Sequence, residues 1–81
     1  MDTRIALVGI VLNNHDSVDE LNHLLSQYGQ YIIGRMGIPY REKDLSIISV
    51  ALDAPGDVIS ALSGKLGMLP GVSTKTIYAK Y

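Results

Sequence analysis

Two nearly uninterrupted apolar runs, IALVGIVL and LSIISVAL, constrain the fold of this 81-residue chain more than any other feature. They occupy residues 5–12 and 45–52, and branched side chains predominate in both. A strand that is apolar at nearly every position is typical of a strand buried on both faces. The runs therefore predict two central strands of a sheet with protein on both sides.

Two amphipathic segments predict helices after these strands. In the first, Ser17 and Glu20 form a capping box, and Gly29 ends the helix. The second helix begins within DAPGD, residues 53–57. The apolar stripes of the two helices consist of Val18, Leu21, Leu24, Leu25 and Tyr28, and of Val58, Ile59, Leu62 and Leu66.

The segment YIIGRMGI, residues 31–38, predicts a more polar strand. Alternation along it makes Ile32, Met36 and Ile38 available to a core and points Arg35 the other way. The charged connection PYREKD follows before the second apolar run.

The order strand, helix, strand, strand, helix, strand predicts an α+β fold of the ferredoxin-like βαββαβ type, as one domain over residues 1–81. The predicted strands cover residues 5–12, 31–38, 45–52 and 72–81. Right-handed crossovers place the first and third strands at the centre of a four-stranded antiparallel sheet, with both helices on one face.

The other face of this sheet needs a cover of its own, because the first strand is apolar on both sides. Large exposed apolar faces lead to association, and a chain this short buries a small fraction of its surface alone. We therefore predict a homo-oligomer, a dimer or a tetramer, that assembles through this sheet face.

Composition excludes several classes of function. Seven basic and eight acidic residues give a net charge of −1, which provides no net attraction to nucleic acid. The chain has no cysteine, which excludes disulfides, thiolate metal sites and cysteine nucleophiles. No apolar run approaches the ~18 residues of a membrane span. We expect a cytoplasmic protein without membrane contact.

The residue pattern does not predict a reaction. His15 precedes the first helix and His23 follows Asp19 by four residues on its polar side, which is typical of a solvated pair rather than a metal site. The carboxylates fall at helix starts or in loops, where capping and solubility explain them. We predict no enzyme activity, no catalytic residue, no metal site and no cofactor.

The second helix carries small residues at three- and four-residue spacing: Ser60, Ser63, Gly64 and Gly67. Lys65 lies late in this helix, whereas a phosphate-binding P-loop lysine lies at a helix start. Glycine inside a helix costs roughly 0.5–1 kcal/mol relative to alanine, so something should use the space at Gly64. Close packing of a helix or subunit and a bound small molecule both remain open.

The segments RMGIPYREKDLSIISVALD and ALSGKLGMLPGVSTKT resemble the iron-only hydrogenase system regulators, and the resemblance spans nearly the whole chain. It is most specific at Gly37, Pro39, Arg41 and Glu42 and in residues 61–76. These proteins have an ACT-like, ferredoxin-like fold, similar to the C-terminal effector domain of nickel-responsive repressors. The resemblance implies an oligomeric, effector-sensing regulator of the hydrogenase system, with a hydrogenase-related protein as a candidate partner.

Two properties of the nickel-responsive repressors are not expected to carry over. The first predicted strand begins at Ile5, so we expect no ribbon-helix-helix DNA-binding domain before it. Their nickel site uses histidines and a cysteine, and this chain has no cysteine and no histidine on a predicted strand.

The ACT-like resemblance implies an effector site at a subunit interface, near the loop after the first strand. The loop positions are Asn13, Asn14, His15 and Asp16. The alternative contacts are Arg35, Arg41, Gly64 and Lys65. Two other functions stay open. One is a ligand-free protein-interaction module, and the other is direct DNA binding through Arg4, Lys75 and Lys80, which the net charge disfavours.

Overall fold

The computed structural model describes residues 2–80. Its helices and strands are β1 (Arg4–Leu12), α1 (Val18–Gln27), β2 (Ile32–Tyr40), β3 (Leu45–Ala54), α2 (Gly56–Gly67) and β4 (Val72–Tyr78). Three-residue 3-10 helices span His15–Ser17, Gly29–Tyr31 and Arg41–Lys43. The predicted order of elements is confirmed. Tyr81, the last residue of the predicted fourth strand, lies outside the described residues.

The four strands form one antiparallel sheet in the order β2-β3-β1-β4. The two apolar runs form its central strands, as predicted: β1 and β3 each pair with a neighbouring strand on both edges. The antiparallel register aligns Gly9 of β1 with Ser49 of β3 on one side and with Lys75 of β4 on the other.

The hydrophobic core lies between the sheet and the two helices. The sheet contributes Ala6, Val8, Ile10, Ile48, Val50, Leu52 and Ala54, and the helices contribute Leu21, Leu25, Ile59, Leu62 and Leu66. Each large aliphatic side chain buried in this way contributes roughly 1.5–3 kcal/mol to the free energy of folding. The sheet residues of this core occupy alternate positions of β1 and β3, because only one face of the sheet is covered by helices.

The opposite sheet face, which we call the open face, has no helix over it. Its strand positions are Ile5, Leu7, Gly9 and Val11 of β1, Gly34, Met36, Ile38 and Tyr40 of β2, Leu45, Ile47, Ser49, Ala51 and Asp53 of β3, and Ser73, Lys75 and Ile77 of β4. Leu7, Met36 and Ile77 are 47%, 63% and 66% exposed. Within one chain, therefore, the central strands are buried on one face only.

A register shift in β2 corrects part of the predicted alternation. Ile32 pairs with Leu52, and Gly34 pairs with the next residue of β3, Ala51. Ile33 is therefore an extra residue in β2 and forms a β-bulge. Ile32 aligns with the buried Leu52, whereas Met36 and Ile38 lie on the open face. Arg35 lies opposite them, as predicted, and so faces the helix layer. The alternation was wrong in grouping Ile32 with Met36 and Ile38.

The predicted capping box of α1 is wrong. Ser17 is at the N-cap position, but its side chain makes no cap hydrogen bond. Its Oγ instead donates to the carbonyl oxygen of Pro70 at 2.7 Å, and the residue is buried. Asn14 is the N-cap of the 3-10 helix that precedes α1, His15–Ser17. Its Oδ1 accepts a hydrogen bond from the backbone N–H of Asp16 at 2.9 Å.

Candidate functional site

The connection from β1 to α1 is held by short-range contacts and by the turn before β4. The backbone N–H of Asn13 donates to the carbonyl oxygen of Gly71 at 2.8 Å. Gly71 has φ +73°, and a Cβ at this position would overlap with Asn13 and Asn14. Glycine is therefore required here both by the backbone conformation and by the close approach of the two loops.

His15 and Arg41, both predicted site residues, lie at the same end of the sheet. His15 Nε2 is 2.8 Å from Oδ1 of Asp44, and the backbone N–H of Asp44 donates to the carbonyl oxygen of Arg41 at 3.2 Å. Asp44 has φ 55°, which turns the chain into β3. The contact joins the loop after β1 to the turn between β2 and β3.

A groove of about 210 Å³ lies between α1 and β2. It is lined by Leu12, Val18, Leu21, Asn22, Arg35, Gly37, Ile38, Pro39, Ser46 and Ile48. Nη2 of Arg35 donates to Oδ1 of Asn22 at 3.1 Å, so a guanidinium stands beside a mainly apolar groove. Asn22 was not predictable as a site residue, because it is polar and does not belong to the apolar stripe of α1, although it lies one turn after Val18.

Gly64 and Lys65 lie in the helix layer. Nζ of Lys65 donates to the hydroxyl of Tyr28 at 3.0 Å and lies 5.4 Å from the centre of its ring, which links α2 to the end of α1. A Cβ at Gly64 would meet nothing within 4 Å. No described residue of this chain therefore uses the space at Gly64, and packing by a second subunit or a ligand remains open.

The other small residues of α2 contact the edge strand β4. Thr76 Oγ1 donates to Ser63 Oγ at 3.1 Å, and a Cβ at Gly67 would lie 3.7 Å from Oγ1 of Thr74. The small side chains of Ser63 and Gly67 let α2 pack closely on this strand, whereas Gly64 has no such contact. Gly67 is the last residue of α2, and Met68 is its C-cap.

The residues named for DNA binding do not form one patch. The guanidinium of Arg4 lies 4.0 Å over the ring of Tyr78, and the register places both on the helix side of the sheet. Lys75 lies on the open face, next to Gly9 in a depression of about 380 Å³. Arg4 and Lys75 therefore point to opposite sides of the sheet.

Within residues 2–80, no three His, Asp or Glu side chains come close enough together to hold a metal ion. No helix in this part of the chain is long and apolar enough to cross a membrane.

The chain matches a family model and a solved structure over almost its full length. The family model TM1266-like, described as a proposed iron-only hydrogenase system regulator, matches residues 4–76. The uncharacterized protein TM1266 from Thermotoga maritima is 36% identical, with a TM-score of 0.94, over 98% of this chain and 100% of that one. A search of curated proteins finds no match.

Two further structures are similar in fold at low identity. The C-terminal domain of the MgtC protein from Mycobacterium tuberculosis is 14% identical, with a TM-score of 0.75, over 96% of this chain and 89% of that one. A formyltetrahydrofolate deformylase from Pseudomonas putida KT2440 is 17% identical, with a TM-score of 0.59, over 94% of this chain and 28% of that one. At these identities the likeness concerns the fold alone.

Proposed function

Because the chain belongs to the TM1266-like family of proposed iron-only hydrogenase system regulators, we propose that it is a non-enzymatic, cytoplasmic regulatory module of that system. In this proposal, copies of the chain assemble through the open face, and the assembly responds to a small effector. The observation that carries the proposal is the apolar open face.

The size and composition of the open face favour a second copy as its cover. The four strands have seven to ten residues. At a spacing of about 4.8 Å and a rise of roughly 3.3 Å per residue, they give the face a projected area of roughly 550 Å². A standard protein interface buries ~800 Å² per partner, and side-chain relief raises the accessible area of a sheet above its projection. Covering Leu7, Met36 and Ile77 removes large apolar side chains from water, which favours association.

The effector part of the proposal rests on the groove between α1 and β2. Arg35 donates there to the neutral amide of Asn22, so its positive charge can still be neutralised by a ligand. A planar guanidinium beside an apolar groove suits a small carboxylate with an apolar side chain. Leu12 and Pro39 line the same groove. Leu12 directly precedes the predicted position Asn13, and Pro39 lies two residues before Arg41.

Native mass spectrometry of the freshly purified protein tests assembly and ligand retention together. We expect a subunit count of two or more and, for the effector, a stoichiometric extra mass that Arg35→Gln removes. Thermal shift assays with amino acids and 2-oxo acids should stabilise the wild type and the control Lys43→Gln, but not Arg35→Gln. No bound mass and no shift with any of these carboxylates would overturn the effector part, and a monomer would overturn the assembly.

A ligand-free interaction module is the second candidate, and one feature favours it. Leu24 and Leu69 line a shallow depression between α1 and the turn after α2, with Asp19 and Glu20 beside them. Apolar side chains next to carboxylates suit a partner segment that combines apolar and basic residues. This function, with a hydrogenase-related protein as partner, gains support if the wild type assembles but retains no effector.

A further inference from the structure

Two charged residues lie among the strand positions of the open face, and they carry opposite charges. The register aligns Lys75 of β4 with Gly9 and aligns Asp53 of β3 with Ile5. Both residues are exposed. Along the described strands the other open-face positions hold apolar, glycine, serine or tyrosine residues.

Lys75 and Asp53 are too far apart to pair within one chain. β1 lies between their strands, and Gly9 is four positions along β1 from Ile5. Strand spacing of about 4.8 Å and a rise of about 3.3 Å per residue put their Cα atoms roughly 16 Å apart. An ion pair needs nitrogen and oxygen within ~4 Å.

Covering the open face would remove both charges from water. A charge in an apolar interface costs free energy unless an opposite charge compensates it. Among the described strand positions of its own open face, neither residue has such a partner, so the compensating charge has to come from whatever covers the sheet. A second copy of this chain carries one of each sign on the same surface.

The position of Leu7 makes the two charges compatible with two-fold symmetry. Leu7 is two residues from Gly9 and two from Ile5 on the strand between β3 and β4, so it lies midway between Lys75 and Asp53. Two copies can place their open faces together about a two-fold axis that runs between the sheets and parallel to them. If this axis passes at Leu7 and is perpendicular to the line from Lys75 to Asp53, Lys75 of each copy lies opposite Asp53 of the other. The strands of the two sheets then cross at roughly 70°, close to the orthogonal class of sheet packing.

We propose that this chain forms a two-fold dimer centred near Leu7, in which Lys75 of each copy pairs with Asp53 of the other. The proposal rests on the assembly through the open face proposed above, and it specifies the partner, the axis and the pairing. Two copies of each pair form in one dimer, as an isologous interface requires.

Charge reversal tests the pairing. In a dimer of Lys75→Asp, positions 75 and 53 both carry aspartate, so aspartate faces aspartate at both contacts. In a dimer of Asp53→Lys, lysine faces lysine at both contacts. We expect each single variant to weaken dimerisation at least tenfold in Kd by sedimentation equilibrium, because like charges meet twice. An equimolar mixture of the two single variants should form a heterodimer, since every contact then joins opposite charges. The double variant should dimerise within about threefold of the wild type.

Lys43→Asp, which changes a lysine in the turn after β2, is the matched control and should leave dimerisation unchanged. If either reversal fails to fold by circular dichroism, Lys75→Gln and Asp53→Asn replace them, each alone weakening the dimer and the double variant recovering part of the loss. A wild type that dimerises while the single variants dimerise equally well would overturn the pairing and leave the assembly standing. A monomeric wild type would overturn both.

Discussion

Ser17 Oγ donates a hydrogen bond of 2.7 Å to the carbonyl oxygen of Pro70, 53 residues later in the chain. The bond joins the start of α1 to the turn before β4. Because Ser17 is buried, Ser17→Ala leaves this carbonyl without its donor, and we expect the free energy of unfolding to fall by about 1–2 kcal/mol. Urea denaturation at fixed protein concentration measures the loss. Ser26→Ala, on the exposed side of α1, should change stability by less than ~0.5 kcal/mol, and equal effects would contradict the role of this bond.

Gly71→Ala should destabilise the chain through the backbone and through contact. The residue has φ +73°, and a Cβ there would overlap with Asn13 and Asn14. We expect a loss of roughly 1–3 kcal/mol in the free energy of unfolding. Thermal denaturation checks this, with Gly29→Ala as the control because a Cβ at Gly29 meets nothing within 4 Å. An unchanged melting temperature for Gly71→Ala would contradict the description of this turn.

Gly64→Ala distinguishes an uncovered position from a covered one. Nothing in this chain lies within 4 Å of a Cβ at Gly64, and alanine is the better helix former. We expect the variant to gain roughly 0.5–1 kcal/mol in the free energy of unfolding. A loss of stability, accompanied by a lower subunit count, would instead show that a second subunit packs on this glycine.

The fold was predictable from the sequence because its strongest signals are long. Eight consecutive apolar residues at 5–12 identify a central strand whatever its neighbours are. The bulge at Ile33 was not predictable, since one extra residue in β2 leaves no mark on an alternating pattern. The capping box failed for a related reason, because a local serine motif cannot reveal that Pro70 offers Ser17 a different partner.

The candidate site was predictable in its parts but not in its arrangement. His15 and Arg41 lie at the same end of the sheet because Asp44, in the turn that contains Arg41, contacts His15 across 29 residues. Arg35 lines the groove between α1 and β2 and donates a hydrogen bond there to Asn22. No apolar pattern identifies Asn22. Contacts of this kind depend on the packing of α1 on the sheet, so sequence spacing alone did not predict them.

Sedimentation equilibrium of two methionine variants measures whether copies of the chain assemble through the open face. Met36→Lys places a charge on the open face, and Met68→Lys places the same charge at the exposed end of α2, where Met68 is 84% exposed. We predict that the wild type and Met68→Lys sediment with a mass of at least two chains at micromolar concentration, whereas Met36→Lys shifts toward the mass of one chain. A wild type that sediments as a single chain, or a Met36→Lys variant that assembles as the wild type does, would contradict assembly through the open face.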